Sequence, residues 1–198
     1  METKSETPAF DPFLFIKDYC LQKYQQDEPM NAAEMAIEIM DTPPFIMHGP
    51  EHHYLVPAVL LTEACRIQGR EPAEAEACLD EAMMRAKNVL KAFCGLYGAC
   101  GAAIGIGIFA SVLTETTPYS VETWSVVNRG TAESLLAMAE IDGPRCCKRN
   151  TFLALQYAPE FSREQLGIPM SETEPIVCHF YQNNKECKKA SCPFFPKP

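Results

Sequence analysis

Frequent helix punctuation and scarce strand punctuation predict an all-α fold. Caps and prolines that open helices recur at short intervals, and the segments between them place apolar residues at helical spacing. No pair of alternating runs brackets a hairpin turn. The 198 residues, 47% hydrophobic and 22% charged, suffice for one globular core. The expected architecture is a helical bundle around a buried Gly-rich helix over residues 1–170, followed by a small cysteine-rich metal-binding tail over 171–198.

The elements follow in order. Asp11-Pro12 supplies a cap and a first-turn proline for FLFIKDYCLQKY. Asn31 and Glu34 form a capping arrangement ahead of AAEMAIEIM. Pro50 opens EHHYLVPAVLLTEACRIQ, where Pro57 predicts a kink. Pro72 opens AEAEACLDEAMMRAKNVLKAF, whose Arg85, Lys87 and Lys91 suit the negative end of a helix, with Gly95 and Gly98 closing it. The stretch 92–114 carries no charge and has the length of a bilayer crossing. Its five glycines make a poor lipid-facing helix, so a central helix buried on most sides is expected. VETWSVVN and TAESLLAMAEI then read as two helices, Pro144 opens RCCKRNTFLALQYA, and SREQLG makes a last turn before the polar connector PMSETEP.

The net charge of −9 excludes a protein that coats nucleic acid. Residues 178–198 run the other way, with four lysines against Glu186. The amino terminus METKSETPAF has no apolar signal core, which predicts a cytoplasmic chain. In that reducing compartment the ten cysteines point to metal, redox or nucleophilic work, or to burial, and not to a disulfide framework.

Two helix starts share a plan, Gly49-Pro50-Glu51-His52-His53 and Gly143-Pro144-Arg145-Cys146-Cys147. Free amides and the helix dipole stabilise anions there, and Arg145, Lys148 and Arg149 add positive charge. A depressed thiol pKa at Cys146 or Cys147 is therefore expected. His48, His52 and His53 are three of the four histidines, and Glu51 lies among them as an acid, base or ligand. Cys94 and Cys100 flank a glycine-rich turn and can supply ligands or a redox pair.

The tail reads Cys178-x8-Cys187-x4-Cys192. It resembles the Cys3His zinc finger, with Phe180, Tyr181 and Phe194 in the places of that module's rings, but Pro196 stands where the finger has its histidine. His179, a body cysteine or a body histidine must complete the set if the metal is zinc. Three thiolates with an open fourth iron are the alternative.

HGPEHHYLVPAVLL, CGLYGACGAAIGIGIF, GPRCCKRNTFLAL and CPFFP together resemble a bacterial and archaeal cysteine-rich family of unknown function across residues 45–196. The resemblance implies no activity. It associates some members with radical S-adenosylmethionine or methyltransferase domains, and so implies such a protein as a partner.

The functional expectation is a cytosolic metalloprotein, with an iron–sulfur cluster or zinc, engaged in redox, sulfur-transfer or cofactor-assembly chemistry. Cys178, Cys187, Cys192 and Cys147 hold the metal, Cys146 is the exposed thiolate, Glu51 and His52 move protons, and Arg145 and Arg149 bind an anionic substrate. The alternative is a zinc-stapled module whose basic, aromatic tail binds RNA or a protein partner.

Overall fold

The computed structural model describes residues 10–26 and 30–197. Among them are eight α-helices and no strand. Helix α1 is Pro12–Gln25, and the Asp11 carboxylate accepts from the amide of Phe13 at 2.8 Å. Helix α2 is Ala32–Asp41, opened by reciprocal hydrogen bonds between Asn31 and Glu34. Then come α3 (Glu51–Ile67), α4 (Pro72–Lys87), the single turn α5 (Phe93–Leu96), α6 (Gly101–Leu113), α7 (Thr123–Ala139) and α8 (Cys147–Phe161). A π-turn over Ser162–Leu166 ends the bundle.

The centre is a pair of helices that most of the others pack against. Helix α3 is buried on nearly every face between Glu51 and Cys65, and α6 is buried at every position but Ile104. Tyr54, Leu60, Leu61, Ile106 and Phe109 are enclosed here, each contributing roughly 1.5–3 kcal/mol by leaving water. The expected central helix is thus observed, and no helix among the described residues is long and apolar enough to cross a membrane. Gly105 keeps α3 and α6 close: a Cβ there would lie 2.9 Å from Cδ of Pro57.

Two boundaries differ from expectation. Helix α4 stops at Lys87, so the run toward Phe93 is broken into a loop and the short α5. Helix α7 runs unbroken through Gly130, where the sequence suggested two helices. That glycine serves packing, since a Cβ on it would stand 2.7 Å from Cζ of Phe161 on α8.

The tail is bound to the body. Buried Glu63 on α3 accepts from the amide of Ala32 at 2.7 Å and from that of Ser171 at 2.8 Å, so one carboxylate holds both the start of α2 and the start of the tail. Thr173 donates to the Leu155 carbonyl, and the Cys178 amide donates to the Phe194 carbonyl at 2.7 Å. Phe180 and Phe194 are buried against Phe152 of α8.

Candidate metal and ligand centre

Three of the ten cysteines, Cys20, Cys65 and Cys78, are buried on α1, α3 and α4 within the hydrophobic core. The remaining seven fall into two groups that share no residue. Cys146, Cys178, Cys187 and Cys192 line one small cavity of about 20 Å³, together with Met47, Arg149, Asn184 and Lys188. Cys94, Cys100 and Cys147 line another of about 20 Å³, together with His52, His53, Arg145 and Asn150. Among the described residues no three His, Cys, Asp or Glu side chains already stand at metal-holding spacing, so closing either group on an ion takes side-chain rotation.

In the first group backbone amides point at sulfur. The amide of Lys189 donates to Cys187 Sγ at 3.3 Å, that of Arg149 to Cys146 Sγ at 3.5 Å, and the Phe180 amide reaches Cys178. Amides two or three residues past a cysteine stabilise sulfur as an anion. Asn184 Nδ2 also donates to Cys146 Sγ at 3.5 Å. Positive charge surrounds the set: Arg149 is 5% exposed, and Lys188 reaches over to the carbonyls of Asp142 and Gly143.

Cys146 is the cap of α8 and not a residue of its first turn, so it faces the tail while Cys147 faces the other cavity. This exchanges the expected roles. Cys146 joins Cys178, Cys187 and Cys192, and Cys147 does not. Cys146 is also not an exposed thiolate, being 9% exposed. Burial pushes its thiol up despite the Arg149 amide and guanidinium, and pushes Cys147 up to about 12, so desolvation outweighs the helix terminus. His179 is not drawn in either, since its Nε2 is 2.6 Å from Asp41 Oδ1 on the surface.

His48 ties the two regions together. Its Nδ1 accepts from the Cys147 amide at 3.4 Å, which leaves Nε2–H to donate to Asn184 Oδ1 at 3.2 Å. Both ring nitrogens are used, so His48 positions the tail and has no lone pair left for a metal. Arg149 likewise spends its guanidinium on the Pro144 carbonyl and on Asn150, away from any substrate cleft.

Glu51 and His52 are almost fully enclosed, at 2% and 1% exposure. Burial lowers the His52 pKa. Burial alone would raise Glu51, but His52 beside it brings the net shift down. Lys148 is enclosed between the rings of Phe45 and Phe180, each 4.7 Å from Nζ, and desolvation lowers its pKa to about 8. Its cationic neighbourhood was legible at sequence level, but its burial was not.

A wider cleft of about 580 Å³ adjoins the second thiol group. It is lined by His48, His53, Lys91, Cys94, Arg145 and Cys147, among others, and shares four of these residues with the small cavity behind it. Its size suits a small molecule. Lys91 and Arg145 give the rim positive charge, and Arg145 also lies 3.7 Å from Glu186 of the tail. Lys91 is on the loop that interrupts the expected long helix, so its place in a cleft wall depended on a break the sequence did not reveal.

A model described as a family of unknown function (DUF5714) matches residues 16–195. No curated protein and no solved structure matches the chain.

Proposed function

Because the chain belongs to the family of unknown function DUF5714, whose description carries no activity, we propose from the geometry that it is a zinc–thiolate protein serving a small-molecule cleft. In this reading Cys146 of the body and Cys178, Cys187 and Cys192 of the tail hold one zinc ion. That ion clamps the tail on the bundle, and the cleft that adjoins the other thiol group takes a small anionic ligand on Lys91 and Arg145. The observation that carries it is the convergence of four thiols, three supported by backbone amides, on one small cavity. Soft donors in a set of four suit tetrahedral zinc.

Of zinc and an iron–sulfur cluster, the volume favours zinc. About 20 Å³ is the room of one water-sized body, whereas a cluster of several irons and sulfides needs much more. Arg149 and Lys188 offset the charge of four thiolates. Two of the three rings that would stack on bases in a nucleic-acid module are spent, since Phe180 and Phe194 are buried in the core and Tyr181 alone is partly exposed.

Protein purified without oxygen or chelator should be colourless, contain zinc and lack acid-labile sulfide. Cys187→Ser should lose one equivalent of zinc and expose residues 178–197 to protease, with the helical circular dichroism of the body kept. Undiminished zinc in that variant, or iron with stoichiometric sulfide in the parent, refutes the reading.

A further inference from the structure

The seven cysteines outside the hydrophobic core divide four and three, and the group of three has a histidine beside it whose Nε2 lacks a partner. Cys94 is on α5, Cys100 caps α6 and Cys147 is the first residue of α8, so three separate elements deliver the thiols to one cavity. Asn150 Nδ2 donates to Cys100 Sγ at 3.1 Å, and the Gly49 amide reaches Cys147. Both contacts favour sulfur in its anionic form.

His52 lines the same cavity. Its Nδ1 lies 3.2 Å from the Gly49 carbonyl, which can only accept, so the proton is on Nδ1 and Nε2 carries the lone pair. Nε2 is fully enclosed and has no hydrogen-bond partner. A buried polar atom left unpaired calls for an explanation. Glu51 Oε1 is 3.2 Å from Nδ1, near enough to favour the imidazole electrostatically, although it makes no hydrogen bond because the Nδ1 proton is directed to the Gly49 carbonyl. On the far wall the His53 ring occupies the space where a Cβ on Gly101 would stand, which brings the start of α6 close to the histidine pair.

We infer that Cys94, Cys100, Cys147 and His52 form a second zinc site, separate from the tail site and lying at the floor of the 580 Å³ cleft. Three thiolates and one imidazole nitrogen are a tetrahedral zinc set, and about 20 Å³ admits one ion. Adjacent residues at a helix start diverge by roughly 100°. Cys146 and Cys147 are therefore able to serve two ions on opposite sides of the α8 terminus. Arg149 Nε donates to Asn150 Oδ1 at 3.3 Å, which connects the cation beside the tail thiols to the amide that supports Cys100. The second ion is the one a ligand in the cleft would meet, because Cys94, Cys147, His53 and Arg145 line both spaces.

The test is zinc stoichiometry with cobalt(II) as an optical probe. The full chain should bind two equivalents of zinc per chain. Cys94→Ser, on a partly exposed single turn, should bind one, as should Cys100→Ser, with circular dichroism verifying that each variant is folded. Replacing zinc with cobalt(II) should give sulfur-to-cobalt charge-transfer absorption that falls by roughly half in either variant. One equivalent in the parent chain that is lost in Cys187→Ser, or two equivalents retained in a folded Cys94→Ser, overturns the second site. The tail site fails separately, through undiminished zinc in Cys187→Ser.

Discussion

Single residues in this protein hold distant segments together, and Glu63 shows it most plainly. Its two carboxylate oxygens accept from the amides of Ala32 and Ser171, and it is 7% exposed. Glu63→Ala leaves the buried Ala32 amide without its acceptor, at a cost of about 1–3 kcal/mol, while the Ser171 amide belongs to an exposed residue and can turn to water. The midpoint of urea unfolding should fall accordingly, and Glu63→Gln, which keeps one acceptor, should fall less. An unchanged midpoint for the alanine variant would show that the Ala32 amide finds water. His48 works in the same manner between the Cys147 amide and Asn184. His48→Leu should therefore loosen the tail, seen as faster hydrogen exchange at residues 184–192, while α1 to α4 keep their protection.

Among the elements, the local signals of the sequence were the dependable ones. Asp11, Asn31 and Pro72 mark helix starts because a cap acts over three or four residues, within reach of sequence reading. Gly130 misled because its reason lies on another helix, in the ring of Phe161. Gly130→Ala tests that reason. Alanine is favoured over glycine in a helix by roughly 1 kcal/mol, but forcing a methyl against the ring costs about 1–3 kcal/mol. A lowered melting temperature is expected, and a raised one would mean that the glycine is not a packing device. The cysteine pair at α8 was legible as chemistry and illegible as geometry. Residue types and spacing bring Cys178, Cys187 and Cys192 together, but which of Cys146 and Cys147 joins them is set by where α8 begins, and the cap position turns Cys146 to the tail. The expected drop in thiol pKa failed for a related reason, since the enclosing tail and α3 are long-range partners and their desolvation outweighs the local dipole.

For the molecule as a whole, the proposed zinc site would couple packing and metal binding through the tail. Phe194, 3% exposed against Phe152, lies two residues from Cys192. Phe194→Ala should cost about 3–5 kcal/mol of stability, and it should also speed zinc loss to a chelator, because the cavity that gathers the thiols is walled by that ring. Equal zinc-loss rates in the two proteins would uncouple core and metal. Such coupling would give the body a reason to lend Cys146 to the tail: a polar segment of this length has little core of its own, and a metal bond to the bundle would add to the order that Phe180 and Phe194 supply. The central claim, that body and tail share one ion through sulfur alone, is tested most directly by zinc-edge X-ray absorption on Cys94→Ser, in which the tail site is the one left filled. The account predicts a first shell of four sulfurs at about 2.3 Å with no nitrogen or oxygen. A shell containing a nitrogen or oxygen ligand, or only three sulfurs, would contradict it and return Cys146 to the status of an ordinary buried thiol.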